Sequence, residues 1–301
     1  MIGSLCSGIL GLDLAVEAHY GQELAWCAEI NPAASKVIAA RAGVVNYGDF
    51  RDVTPPAVDI LCAGFPCQPV SAAGKRAGIN DERWLFDDIC DLLGRMDPPP
   101  RLLVFENVRG LLSANGGVAM ARVVEGLARC GYVGSWRTVR ASDVGACHRR
   151  ERVFIVARHA DGKRLEGRRA LQLPGEGAAR PAGVGSPAPA ADTDGEPRPG
   201  ERRQRAGQTV REPRAVERPR RRDRVDFGPF TEAVARWEFL VGRPAPAPVD
   251  ERGRLSAPFV EWMMGYPEGW ATDILDRRTD ALRCLGNAVV PQQAAYALRG
   301  L

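Results

Sequence analysis

Short apolar runs and stretches of helical periodicity alternate along the first half of the chain. The runs Ile2–Cys6, Leu24–Glu29, Asp59–Ala63, Leu102–Glu106, Ser135–Arg140 and Arg152–Ala157 predict strands, and a short one precedes "NYGDF". Between them, the spacing predicts helices near Leu10–His19, Pro32–Ala42, Arg83–Arg95 and Val118–Cys130. Strands that alternate with helices predict an α/β fold with a mostly parallel sheet covered on both faces. Ligands of such sheets bind at the carboxyl ends of the strands.

That pattern stops near residue 158. Residues 158–226 contain no Phe, Trp or Tyr and are rich in Arg, Pro, Gly and Ala. They cannot build a core alone, so they read as loops on a small domain or as partly disordered. Aromatics return in "DFGPFTEAVARWEFL", Asp226–Leu240, which predicts a short helix. A Pro-rich link, "GRPAPAPVDERG", precedes residues 254–301, where Gln292–Leu298 predicts a last helix. Three regions follow: 1–157 with the alternating pattern, 158–253 as a variable region, and 254–301 as a last ordered block.

Charge sharpens this division. Residues 158–226 hold 17 basic and 11 acidic residues, a net of +6, in a chain whose total is +4. A basic segment on a nearly neutral body fits a polyanionic partner, and it fits a solvated Arg-rich linker as well. Only Lys36, Lys75 and Lys163 among the 41 basic residues are lysine, which points to a GC-rich genome. The eight cysteines form no CxxC pair and the histidines number three, so neither a zinc site nor a metal cofactor is expected. No apolar run approaches the roughly 20 residues of a membrane span, and the N-terminus lacks a signal-peptide pattern. The expectation is a soluble, cytoplasmic protein without disulfides.

Four stretches carry candidate chemistry. In "SLCSGILGLDLAVE", a strand runs into a small-residue turn and then a helix, which lets backbone approach a ligand. Glu29, at the end of the second strand, can hold ribose hydroxyls, and Asp49, after the third, can accept from an adenine amine. In "AGFPCQPVSAAGK", Cys67 lies just past a buried strand with Pro66 fixing the backbone ahead of it. A free thiol is at most about a tenth thiolate near neutral pH, so a nucleophilic role needs a lowered pKa or a partner that removes charge from the substrate. In "RLLVFENVRGLL", Glu106 sits at the mouth of a buried strand, where desolvation raises a carboxyl pKa and suits it to donate a proton. In "HRRERVFIVA", Arg150 and Arg152 share one strand face and can grip a base carbonyl and a phosphate.

Taken in order, these stretches resemble the cytosine-5 DNA methyltransferases. The resemblance covers the turn at 4–17, Glu29, Asp49, "PCQ" at 66–68, "ENV" at 106–108 and "RRERVF" at 149–154. It continues with "RLSAPFVEWMMGYPEGW" at 254–270 and "RCLGNAVVPQQAAYAL" at 283–298. It implies a Rossmann-like fold that binds S-adenosyl-L-methionine and releases S-adenosyl-L-homocysteine, with a smaller target-recognition lobe in the variable region. By the same resemblance the target cytosine is rotated out of duplex DNA. Cys67 would attack its C6, Glu106 would hold or protonate N3, and Arg152 would grip the carbonyl with Arg150 in support. Cys6, Ser7, Gly8, Ile9, Leu10, Gly11, Glu29, Ile30, Asp49 and Phe50 would form the cofactor site with Gly64, Pro66, Leu85, Asn287 and Val289. Gln68, Ser71, Lys75 and Arg76 would contact DNA.

The resemblance implies a monomer of a restriction–modification system, with a separate cognate endonuclease, or an orphan or phage enzyme. Transfer-RNA methylation by the same chemistry and a catalytically dead DNA-binding module are the alternatives. Two positions depart from the family pattern. Leu10 stands where the turn usually has a second glycine, and its side chain is expected to crowd the methionine end of the cofactor or to shift the helix. His148 stands where glutamine is usual before the two arginines, which removes a supporting hydrogen bond.

Overall fold

The computed structural model describes residues 1–66, 84–161 and 225–301. The chain divides into two units, Met1–Glu176 with Phe227–Leu301 and Gly177–Asp226, and all that follows concerns the first. Cys67, Gln68, Ser71, Lys75 and Arg76 lie outside the described residues.

Among the described residues, seven strands form one sheet: β1 (Ile2–Leu5), β2 (Leu24–Ala28), β3 (Val45–Asn46), β4 (Ile60–Ala63), β5 (Leu102–Val108), β6 (Tyr132–Arg140) and β7 (Glu151–His159). Their order is β3-β2-β1-β4-β5-β7-β6. The first five are parallel, and β7 runs antiparallel to both β5 and β6. The central strands β1 and β4 are buried throughout, because helices cover both faces of a parallel sheet. Strand order reverses between β1 and β4, which opens a crevice at the carboxyl ends of those strands.

The helices of the first half are α1 (Gly11–Tyr20), α2 (Pro32–Arg41), α3 (Phe86–Arg95) and α4 (Val118–Arg129). α1 and α2 follow their strands after short turns whose chemistry is local. Asn31 caps α2, its Oδ1 accepting from the N–H groups of Ala33 and Ala34 at 2.9 and 3.2 Å, and Pro32 takes the first helical position. Beyond residue 225 come α5 (Thr231–Val241), α6 (Ala257–Met263), α7 (Arg278–Asn287) and α8 (Pro291–Leu298). The predicted elements are all found within a few residues of their predicted ends. The helices α6 and α7 were not predicted singly: α6 has only seven residues, too short for a clear period.

The C-terminal block packs onto the first turn. Glu261, 1% exposed, accepts from the backbone N–H groups of Gly269, Ala271 and Thr272 and from the Thr272 hydroxyl, which fixes the loop after α6. That loop presents Trp270, whose Nε1 donates to Ile9 O at 2.9 Å, and Tyr266, whose hydroxyl donates to Val289 O at 2.9 Å. Gly11 is needed here: a Cβ would stand 2.2 Å from the Tyr266 hydroxyl and 2.3 Å from Val289 O. Trp237 of α5 is fully buried in the same cluster and donates from Nε1 to Trp262 O at 3.0 Å.

Leu10 corrects an expectation. Its backbone is left-handed, with φ 70°. This turns the side chain into an apolar cluster with Cys27 and Ile38, backed by Trp270, and away from the crevice. Among the described residues it lines neither cavity, and α1 starts at Gly11 with Leu10 as its cap residue. A left-handed leucine costs roughly 1–2 kcal/mol, whereas removing a buried leucine side chain costs about 2–5 kcal/mol. Leu10→Gly is accordingly expected to lower stability by about 1–3 kcal/mol in urea unfolding, despite relieving the backbone.

Candidate active site

The crevice holds a cavity of about 390 Å³, within the range of small-molecule sites. Its walls come from successive strand ends: Cys6 and Gly8 after β1, Glu29 and Ile30 after β2, Asp49 and Phe50 after β3, Gly64 and Pro66 after β4. Leu85, Asn287, Glu106, Arg150 and Arg152 complete the set that sequence reasoning placed there. A side chamber of about 40 Å³ lies beneath the turn, lined by Ser7, Ile9, Gly11 and Val289. Leu10 lines neither space.

Glu29 organises the cofactor-side wall. Its Oε2 accepts from Gly8 N at 2.8 Å and its Oε1 from Asn31 N at 2.7 Å. Each oxygen keeps a lone pair for a further donor. Gly8 has φ 56°, and a Cβ there would meet no atom of the described residues within 4 Å, so its backbone borders open space among them. Asp49 is gripped by Arg51, whose Nε donates to Oδ1 at 2.9 Å and Oδ2 at 3.1 Å. The Arg51 hydrogen bonds hold the Asp49 carboxyl below its usual range, so it stays an ionised acceptor.

At the other end, β5 and β7 bring an acid and two guanidinium groups together. Register pairs Val108 with Arg152 and Glu106 with Phe154, so Glu106 and Arg152 are diagonal neighbours. Arg152 Nε stands 2.9 Å from Glu106 Oε1, and both side chains are largely buried. Burial raises the Glu106 carboxyl above its usual pKa, and the nearby Arg152 and Arg150 oppose that rise. Arg150 donates from NH1 to Gly286 O at 2.9 Å and from NH2 to Ala288 O, which ties the start of β7 to the end of α7. Burial lowers its pKa to about 10, which leaves it charged at neutral pH. His148 makes a contact of its own in place of the expected glutamine: its Nε2 donates to Met263 O at 3.0 Å, and burial lowers its pKa.

The chain leading toward residue 67 is held from two sides. The Phe65 ring packs edge-on against Phe105, centroids 5.9 Å apart, and tilted against Phe86 at 5.7 Å. Asn107 Nδ2 donates to Phe65 O at 3.1 Å, while its Oδ1 accepts from Val108 N at 2.8 Å. Sequence reasoning passed over Asn107, Arg51 and Cys284 as wall residues. Asn107 was within reach, since it adjoins Glu106 in the same strand end. Cys284 carried no local signal, because α7 reaches the cavity only through tertiary packing.

This arrangement can bind a nucleoside at the β2–β3 side and present an acid, flanked by fixed positive charge, to a second ring at the β5–β7 side. Comparison with known proteins places the chain in a family. The family model described as C-5 cytosine-specific DNA methylase matches residues 1–176. The type II methyltransferase M.NgoBI of Neisseria gonorrhoeae is 38% identical over 156 residues, 50% of this chain and 48% of that protein. M.MspI of Moraxella sp is 35% identical over 158 residues, 51% of this chain and 37% of that protein. The chain thus spans about half, or less, of the length of the curated relatives it matches. Among solved structures, a triple mutant of Spodoptera frugiperda DNMT2 gives a TM-score of 0.57 at 17% identity, covering 99% of this chain and 98% of that one. The Entamoeba histolytica methyltransferase EhMeth gives 0.56 at 13% identity, covering 99% and 96%. At such identities these two speak for the fold, a Rossmann-like methyltransferase sheet. With the family model matched over more than half its length, the chain belongs to the C-5 cytosine-specific DNA methylase family.

Proposed function

We propose that the protein transfers a methyl group from S-adenosyl-L-methionine to C5 of a cytosine in double-stranded DNA. The observation that carries this reading is the Glu106–Arg152 pair at one end of a cavity whose other end offers Glu29 and Asp49. The residues present fit the cofactor: the Gly8 backbone leaves an open cradle, Glu29 has lone pairs for ribose hydroxyls, and Asp49 is an ionised acceptor for an adenine amine. Ile30, Phe50, Pro66 and Leu85 add apolar wall to that end. When bound, the cofactor supplies an electrophilic methyl on its sulfonium.

The chain's own residues do the remaining work. The target base leaves the stack, since its ring carbons are out of reach inside a duplex. The Cys67 thiolate adds to C6, forming a carbon–sulfur bond and breaking the ring's aromaticity. Glu106 delivers its proton to N3 as that bond forms, so negative charge does not accumulate on the ring. Arg152 holds the base carbonyl and Arg150 keeps the pair in place through the C-terminal block. C5 then carries the electron pair that takes the methyl group. Loss of the C5 proton to a base, expulsion of the Cys67 thiolate and return of the N3 proton to Glu106 restore the neutral aromatic ring and the acid. Residues 158–253 are assigned the reading of the DNA sequence, on their length and positive charge. Gln68, Ser71, Lys75 and Arg76 are assigned contacts with DNA beside the flipped base. The biological setting assigned is restriction–modification, or an orphan methylase.

Three experiments test this reading. Methyl transfer to unmethylated genomic DNA is expected to yield 5-methylcytosine, and Cys67→Ser is expected to abolish it; label retained by the variant removes the thiol from the mechanism. Glu106→Gln, which keeps shape and loses the transferable proton, is expected to lower kcat by about 10²–10⁴-fold. Because the acid form is the active one, kcat for the native protein falls as pH rises through the raised Glu106 pKa, and this limb vanishes in Glu106→Gln. Asn107→Ala frees Phe65 O and is expected to lower kcat by about tenfold or more through misplacement of the thiol, with S-adenosylhomocysteine affinity within about twofold of native.

A further inference from the structure

Asp13 takes no part in the chemistry above, yet it is the least expected charge in the fold. It lies in the first turn of α1 and is 1% exposed. The Cys62 thiol stands 3.3 Å from its Oδ1 and 3.5 Å from Gly3 O, so one proton serves both acceptors. Asp13 Oδ2 has no hydrogen-bond partner among the described residues. The groups that face it are Ser4 on β1, Cys62 on β4, Glu17 on α1, Cys27 on β2 and Tyr266 in the loop after α6. These are acids or neutral donors, and none is a cation. A carboxylate so placed is expensive unless something positive meets it.

The side chamber supplies the place. Asp13 lines it, and the chamber shares Cys6, Gly8, Gly64, Glu106 and Asn287 with the main cavity, so it is an arm of that cavity. A water would fit in about 40 Å³ and satisfy a lone pair, but it leaves the charge unbalanced. We infer that Asp13 is the counter-ion for the α-ammonium of the cofactor's amino-acid end, met in this chamber directly or through one water. The inference rests on the S-adenosylmethionine reading and adds a specificity residue to it. Asp13 would let the site distinguish a cofactor with a zwitterionic tail from a nucleoside thioether without one.

Proton linkage gives the test its sign. Burial pushes the Asp13 carboxyl up to about 6, against the opposing influence of Ser4 and Cys62. The ammonium pairs with the ionised form, so a proton must leave for the tail to bind below that pH. The α-ammonium itself stays charged up to about pH 7. Affinity for S-adenosylhomocysteine is therefore expected to rise between about pH 5 and pH 7, approaching tenfold per unit at the acid end. Affinity for 5′-methylthioadenosine, which keeps the nucleoside and the sulfur and lacks the tail, is expected to stay flat.

Titration calorimetry of both compounds, on the native protein and on Asp13→Asn, decides it. The isosteric variant removes an unbalanced charge and is expected to bind S-adenosylhomocysteine about tenfold or more weakly, without the pH dependence and with methylthioadenosine unchanged. Native-like affinity for S-adenosylhomocysteine in the variant overturns the inference. An equal loss for both compounds also overturns it, since that marks a role in shape alone. A pH dependence shared by both compounds assigns the titration to Glu106 and overturns it too. If the variant does not fold, the native contrast between the two compounds remains decisive by itself. A native protein that binds neither compound removes the cofactor reading and the inference together.

Discussion

The Glu106–Arg152 pair must form inside the protein, and most of what surrounds the cavity follows from that requirement. Two buried ions gain from each other only if their remaining donors and acceptors are also satisfied. Arg152 meets Glu106 at 2.9 Å and donates from NH1 to Glu151 O. The second guanidinium, Arg150, would repel the first if it stood free in the same wall. Its NH1 and NH2 instead donate to Gly286 O and Ala288 O, carbonyls supplied by the C-terminal block, while its buried Nε has no partner among the described residues. Thus the last part of the chain is needed to hold the charges of β5 and β7, and Glu106 keeps a raised pKa beside two arginines because burial outweighs them.

The same block governs the opposite end. Tyr266 reaches Val289 O, Trp270 reaches Ile9 O, and Glu261 ties together the loop that carries both rings. Arg41 at the end of α2 donates to Trp270 O at 2.9 Å and stacks over its ring at 5.4 Å. Gly11 is the point where this clamp meets α1, and a single methyl group there would collide with both Tyr266 and Val289. A helix that starts so close to another backbone needs glycine at the contact, whereas the neighbouring Leu10 can carry a side chain because it turns the other way.

Strand ends were legible in the sequence because each apolar run stops at a residue that does not suit a buried strand. Glu29, Asp49 and Glu106 stand at such stops, and all three line one cavity. What local pattern could not supply is pairing across distance. Glu106 and Arg152 are brought together by β5–β7 register, and Asn107 holds Phe65 O across neighbouring strands. Leu10 was misjudged because a leucine in a glycine-rich turn looks like an obstruction until its left-handed backbone is seen to point it into the cluster of Cys27 and Ile38. Asp13 was passed over for a similar reason: an acid in the first turn of a helix looks like an ordinary solvated dipole partner.

Burial is what separates the two acids beside this cavity into different tasks. Glu106 and Asp13 are both desolvated, and both have raised pKa values. Glu106 has Arg152 and Arg150 beside it, and their charges oppose the rise that burial causes. Asp13 has hydrogen-bonding help from Cys62 and Ser4, but it faces Glu17, Cys27 and Tyr266, and no cation is among these groups. An acid with a cation built in is arranged for proton traffic, while an acid without one is arranged for a cation that comes from outside. The same crevice thus holds two desolvated carboxylates in opposite electrostatic settings, both of them bordering the side chamber.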